Sequence, residues 1–302
     1  MIAPAPVACD RRTSVKWFFS MSGLVFAAIA PHGSMAIPEA RTEKERGKGD
    51  PTREAMEELG RRFEAADPDA VVILTPHNVH VEGAMAVVEA GRAAGDLAQW
   101  GGPDVKLEAT TDRGLAARIK ATVRDAGIPM VGISYGGNNP DESLHPMDWA
   151  VLVPYWFMGG RSEPRVPLVI VSPARDLRPE DHVTAGRAIA KAARDAGQRV
   201  ALVASCDHGH GHDASGPYGL REESKQFDDR VVEILHDDRL ADLLAIPVDF
   251  VRRAAADSWW QMLMLLGALD ANWRGELLCY EAPTYFGMIC AAYEPAEVVA
   301  AG

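Results

Sequence analysis

Five short stretches of this chain are apolar almost without interruption: GLVFAAIA at 23–30, AVVILT at 70–75, PMVGIS at 129–134, PLVIVS at 167–172 and RVALVAS at 199–205. A strand with one wet face alternates apolar and polar residues, whereas a strand covered on both faces reads as a continuous apolar run. Five such runs call for a central, mainly parallel or mixed sheet flanked by helices. The intervening sequence supplies the helices. Residues 51–66 open with Pro51 after Asp50, residues 112–126 stop before Gly127, and the alanine-rich residues 179–196 open with Pro179 and stop at Gly197. Proline in the first turn and glycine just past the last are the expected punctuation of a helix. After Pro247, DFVRRAAADSWWQMLMLLGAL reads as one long apolar helix, and the charged segment 41–53 reads as an exposed loop. No internal repeat is present. The alternation predicts a single α/β domain, and 302 residues are enough to bury a large core.

The strand exits are unusual in composition. Pro31-His32-Gly33 comes after the first run, and PHNVH, with His77 and His80, comes after the second. The last run opens into Cys206-Asp207-His208-Gly209-His210-Gly211-His212. Open α/β sheets bind ligands beyond the carboxyl ends of their strands, so three strands deliver imidazoles to one edge. A single histidine there is commonly structural; three favour a shared site. Neutral imidazole is the commonest metal-binding side chain near neutral pH. Two imidazoles and one carboxylate, with the other positions open, form the donor set of non-haem Fe(II) oxygenases. Similar donors around an activated water suit zinc, and spacing alone leaves both open.

The bulk numbers narrow the partners and compartment. With 43 acidic against 31 basic residues and a net charge of -12, the chain lacks the basic surface that nucleic acid or an anionic membrane requires. Cys9, Cys206, Cys279 and Cys290 show no CxxC spacing, which argues against a zinc knuckle or disulfide framework and for a reducing cytoplasm. The segment RRTSVKWFFSMSGLVFAAIAPHGSMA imitates an export signal, but Ser20, Ser22 and Gly23 interrupt its apolar run, and cleavage after Ala36 would discard His32. Residues 1–20 are therefore expected to be a loose extension upstream of a start at Met21, with the domain spanning 21–302.

Taken in order, APHG, TPHNVH and ASCDHGHGH…GPYG resemble the class III extradiol ring-cleavage dioxygenases. This is the LigB-like family that includes the catalytic subunit of protocatechuate 4,5-dioxygenase, and the resemblance runs from about residue 23 to the C-terminus. It implies that His32 and His77 bind Fe(II). Counted from Ser205 and Asp207, it places the catalytic acid/base on His210. His208 and His212 alternate with His210 and would lean to the same side in an extended loop, as pocket-lining or solvent-facing groups. Asp207 would orient an imidazole or cap the next turn, Tyr218 is a further pocket candidate, and His80 would sit beside the ligands.

Relatives supply the third ligand from a glutamate early in a late helix. Here Asp257 takes that place, ahead of Trp259, Trp260 and Gly267-Ala268-Leu269, with Glu222 and Glu223 as alternatives. Where many relatives carry a substrate-pocket histidine this chain has Trp149, which either stacks on a ring or fills core. Trp156 and Phe157 read as core, His145 as a loop residue, and His182 and His236 as exposed. The implied activity is Fe(II)-dependent extradiol cleavage of a catechol, aminophenol or related aromatic with O2, in a homo-oligomer with room for a small partner subunit. The alternatives are a zinc-dependent hydrolase on the same ligands and a non-catalytic, Memo-like signalling or assembly protein.

Overall fold

In the computed structural model, which describes residues 22–296, the first apolar run is strand β1 (Gly23–Ala30). The expected extension 1–20 and the start at Met21 lie outside the described residues. Helix α1 (Asp50–Ala66) and β2 (Ala70–Leu74) follow, then β3 (Met85–Val88), β4 (Arg92–Leu97) and β5 (Gly102–Thr110). Next come α2 (Arg113–Asp125), β6 (Met130–Ile133), β7 (Leu144–Pro146), α3 (Trp149–Phe157) and β8 (Leu168–Ser172). The chain continues through α4 (Pro179–Ala196), β9 (Arg199–Ser205), α5 (Glu222–His236), α6 (Val248–Arg253) and α7 (Trp259–Ala268). It closes with the hairpin β10 (Trp273–Glu281) and β11 (Met288–Pro295).

Eight strands form one mixed sheet in the order β10-β11-β1-β9-β2-β8-β3-β6. Its centre, β1-β9-β2-β8, is parallel, while β11 runs antiparallel to β1 and β3 antiparallel to β8. Strands β5, β4 and β7 make a smaller second sheet. Alternate residues of the central strands feed two cores. On β2, Ala70, Val72 and Leu74 pack with α2, α4, α5 and α7, whereas Val71 and Ile73 pack with α1, α3 and the small sheet. Every residue of β2 and β8 is buried, as their continuous apolarity requires.

Three expectations are corrected. The run at 129–134 yields an edge strand, β6, that is only partly covered. The segment after Pro247 is two helices, because the chain breaks at Ala254–Ser258, where Ala255 takes the left-handed conformation (φ 48°). His182 is fully buried: it sits on α4 with Nδ1 against the Arg178 carbonyl (3.0 Å), and burial holds its imidazole below the ordinary pKa. Charged neighbours in sequence had suggested an exposed face, but α4 is packed against both α2 and α7.

The α4–α7 contact fixes where the break falls. A Cβ on Gly186 would overlap the Met264 carbonyl, and one on Gly267 would overlap the Val183 carbonyl. The two backbones touch at these glycines, which sets the start of α7 and the residues just before it. Gly186→Ala and Gly267→Ala should each destabilise the protein by about 1–3 kcal/mol in urea unfolding, through overpacking. Gly114→Ala, where the added carbon meets only an ordinary contact at 3.4 Å, should be neutral or slightly stabilising. Wild-type stability in Gly186→Ala would contradict this packing.

Candidate metal centre

The parallel strands end level with one another, and the residues after them converge. His32 follows β1, His77 follows β2, and Asp257 lies in the break before α7. One donor atom from each lies within 4.8 Å of the others. His77 Nε2 is 3.0 Å and His32 Nε2 3.8 Å from Asp257 Oδ2. The two imidazoles meet edge to face, centroids 5.0 Å apart.

Hydrogen bonding fixes the chemistry of His32. Ser205, the last residue of β9, donates its hydroxyl proton to the Ala150 carbonyl (2.5 Å). Its oxygen can then only accept from His32 Nδ1, 3.0 Å away. His32 is therefore protonated on Nδ1, and its Nε2 carries a lone pair. Burial pushes this imidazole well below its usual pKa, so it remains neutral. Asp207 accepts the His32 backbone N–H on Oδ1 (2.9 Å), and its Oδ2 lies 3.3 Å from His32 Nε2 without bonding to it.

This lone pair faces carboxylates and has no hydrogen-bond partner, and neither has buried Asp257 Oδ1. A buried acceptor turned towards the ionised Asp257 carboxylate is costly unless a cation lies between them. Burial opposes ionisation of Asp257, yet the His77 hydrogen bond and the histidines around it outweigh burial and hold its carboxyl below the usual range. Burial and the charge of Asp257 push Asp207 the other way, well above its usual value. Two imidazoles and one ionised carboxylate with orphaned donor atoms fit a divalent metal such as Fe(II) or Zn(II).

His77 is braced from outside. Asp148 caps α3 by accepting from Ala150 N (2.8 Å) and Val151 N (3.1 Å), and also accepts from the Asn78 amide (2.8 Å). This ties the start of α3 to the β2 exit and lays Trp149 on His77, centroids 4.6 Å apart and 27° from parallel. Trp100 meets Trp149 edge-on at 5.2 Å.

The three loop histidines differ in surroundings: His210 and His212 line one cavity, and His208, fully buried, does not. His208 N and His212 N bond to the Gly287 and Tyr285 carbonyls, whereas His210 N bonds to Ala254 on the other side. His208 is fully buried with Nδ1 3.1 Å from Ser258 Oγ, and burial pushes it down to about 4. His212 bonds buried Asp228 (2.8 Å), which also accepts from Gly209 N and Tyr280 Oη. His210 stands among Tyr218, Tyr285 and Phe286, with centroids 5.5, 6.0 and 5.7 Å away, and its Nδ1 is buried without a partner. Gly209 is required here, since a Cβ would come within 2.7 Å of the Ser224 backbone.

A cavity of about 910 Å³ opens onto His32, His77, Asp207, His210, His212 and Tyr218, walled by Trp100, Trp149, Tyr285 and Phe286. His80 is exposed and lines a second cavity, and its imidazole is lowered by partial burial and by Arg175. Glu222 and Glu223 open α5 away from the cluster, Glu223 lying 3.4 Å from Arg253. His145 is buried against Asn78, and His236 is exposed beside Asp237. Sequence reasoning passed over Trp100, Tyr285 and Phe286; the aromatic pair in PTYFG (283–287) was the available signal.

Residues 26–290 match the family described as the catalytic LigB subunit of aromatic ring-opening dioxygenase. The chain belongs to the LigB family. It is also 22% identical over 255 residues to Protein CA_C1420 of Clostridium acetobutylicum, covering 84% of this chain and 54% of that protein. The chain thus spans about half the length of this curated relative. The crystal structure of the uncharacterized protein JW3007 from Escherichia coli K12 superposes with a TM-score of 0.57 at 18% identity, covering 89% of this chain and 99% of that one. That likeness concerns the fold. Among the described residues of this LigB-family chain, no helix is long and apolar enough to cross a membrane.

The geometry makes Ser205 a positioning residue for His32. Ser205→Ala frees the tautomer and should weaken Fe(II) or Zn(II) binding by ~10–100-fold in chelator competition with the fold intact, as loss of a group that orients a ligand does. Asp257→Ala should lose more than this, and Glu223→Ala nothing. Full metal affinity in Asp257→Ala would remove that residue from the centre.

Proposed function

We propose that this chain is an Fe(II)-dependent extradiol dioxygenase that opens the ring of a catechol, aminophenol or related aromatic with O2. The observation that carries the reading is the convergence of the His32 lone pair, His77 and ionised Asp257 on one point, with His32 and His77 opening onto a cavity walled by aromatic rings. Membership of the LigB family supports it. His32, His77 and Asp257 would hold the iron, which supplies a Lewis acid for the diol oxygens and a redox partner for O2.

The remaining tasks fall to the chain's own side chains. Trp149, Trp100, Tyr285 and Phe286 offer flat apolar surfaces that orient a planar substrate and exclude water. His210, whose side chain lines the cavity among Tyr218, Tyr285 and Phe286, takes the proton of a substrate hydroxyl and returns it during ring opening. Asp207 and Ser205 hold His32 by its backbone and its Nδ1. His208 and His212 serve the loop, through Ser258 and Asp228, so that His210 keeps its place.

The test is anaerobic loading with Fe(II), or with Zn(II) in parallel, then addition of catechols and aminophenols and admission of air. The iron protein should consume one O2 per ring opened and develop the yellow ring-fission chromophore, and the zinc protein should not. Full iron occupancy with no product from any member of the panel would contradict the reading, and zinc-dependent hydrolysis would replace it. His210→Gln should lower kcat by ~10²–10⁴-fold while iron content and anaerobic substrate affinity hold. His208→Gln and His212→Gln should cost less activity and more thermal stability, because they disturb buried hydrogen bonds.

A further inference from the structure

In the hairpin β10–β11, Cys279 stands directly opposite Cys290. Leu278 is skipped in the pairing, and this slip turns Cys279 to the face that Cys290 occupies. Both cysteines pack into the core on the α1 side, whereas Leu277 and its partner Ala291 pack on the other. Residues opposed across an antiparallel pair have Cα atoms ~4.5–5.5 Å apart, within the ~4.4–6.8 Å that a disulfide spans. Thr52, near the start of α1, touches both thiols. Its carbonyl accepts from Cys290 Sγ at 3.9 Å, and its side chain is a hydrogen-bond partner of Cys279.

The two thiols differ in access. Cys290 is fully buried and Cys279 half-buried, so an oxidant in solution meets Cys279 first. Burial, Glu281 and Glu54 push Cys279 up to about 11, which keeps its thiolate scarce at neutral pH and makes the pair slow to react. Cys206 packs across the sheet from both, against the Ser258 carbonyl.

The strands that these thiols would join bear on the site. The loop between them, 282–287, supplies Tyr285 and Phe286 to the cavity wall. The same loop holds the histidine loop by its backbone. Gly287 O accepts from His208 N (2.8 Å), Gly287 N donates to Gly209 O (3.0 Å), and Tyr285 O accepts from His212 N (3.1 Å). Met288 bridges Asp207. The hairpin thus carries the segment that includes His210.

We propose that Cys279 and Cys290 form a redox site, in which a peroxide closes a disulfide across β10 and β11 and so locks the hairpin that holds the His210 loop. The inference is independent of the reaction performed at the metal centre. In the first step the Cys279 thiolate attacks one peroxide oxygen, the O–O bond breaks, and hydroxide leaves and takes up the thiol's proton as water. In the second, the Cys290 sulfur attacks the Cys279 sulfenic acid. The S–O bond breaks as the S–S bond forms, and the hydroxyl leaves with the Cys290 proton as a second water. Two thiols lose two electrons, and the peroxide gains them.

The experiment uses the full chain loaded with one equivalent of Zn(II), which does no redox chemistry, at about pH 8.5, where thiolate is more abundant than at neutrality. Hydrogen peroxide is added, remaining thiols are blocked, and the protein is digested without reduction. Mass spectrometry should find one peptide pair joining Cys279 to Cys290, and dithiothreitol should undo it. The oxidised protein should melt ~5–10 °C above the reduced one, and amide hydrogen exchange should slow over 282–287 and 206–212. Cys279→Ser and, independently, Cys290→Ala should show neither change on the same treatment. Sulfinic acid on Cys279 with Cys290 still a thiol, or a cross-link through another cysteine, would overturn the proposal. Both thiols still free after a day in excess peroxide would do the same. So would a Cys279–Cys290 disulfide that leaves melting and exchange unmoved.

Discussion

Parallel pairing of β1, β9 and β2 sets Ala30 level with Ser205 and Leu74 level with Ala204. Three chains therefore leave the sheet at one height, and the polar residues just beyond them meet without any long loop to position them. Everything at the centre depends on that register. Ser205 can reach His32 Nδ1 because the two strand ends are neighbours, and Asp207 can hold the His32 backbone two residues later for the same reason. The buried central strands make this edge stiff, which suits a site whose donors must converge before any metal arrives.

The same edge concentrates buried polarity. His32, Asp207, His208, Asp228 and Asp257 are all nearly or fully buried. Most of their capacity is met by hydrogen bonds to Ser205, Ser258, His212, Tyr280 and loop amides. The acceptors left over at the centre are His32 Nε2 and Asp257 Oδ1, on two of the three residues that a metal would use. Aromatic rings on His77 and around His210 place apolar surface beside the donors, which strengthens the charge interactions next to it.

Those features that arise from local pattern were legible in the sequence. Continuous apolar runs marked the central strands, and histidines placed directly after them marked the edge where a ligand binds. Features set by distant contacts were not legible. AAADSWW reads as helix by propensity, but the Ala254 carbonyl accepts from His210 N and Ser224 Oγ, and these long-range bonds open the turn that presents Asp257. The backbone partners of His208, His210 and His212, which are Gly287 and Tyr285 for the outer two and Ala254 for the middle one, likewise lie far along the chain. That Cys279 faces Cys290 is set by the register of β10 on β11, which no local pattern shows. The burial of His182 is likewise a property of helix packing.

The most direct test of the account is diffraction from crystals of the iron-loaded protein, grown without oxygen, with data collected on both sides of the iron absorption edge. The account predicts one strong anomalous peak bounded by His32 Nε2, His77 Nε2 and the Asp257 carboxylate, with Ser205 still bonded to His32 Nδ1. Iron placed instead between His212 and Asp228, or held by His32 and His77 without Asp257, would contradict it.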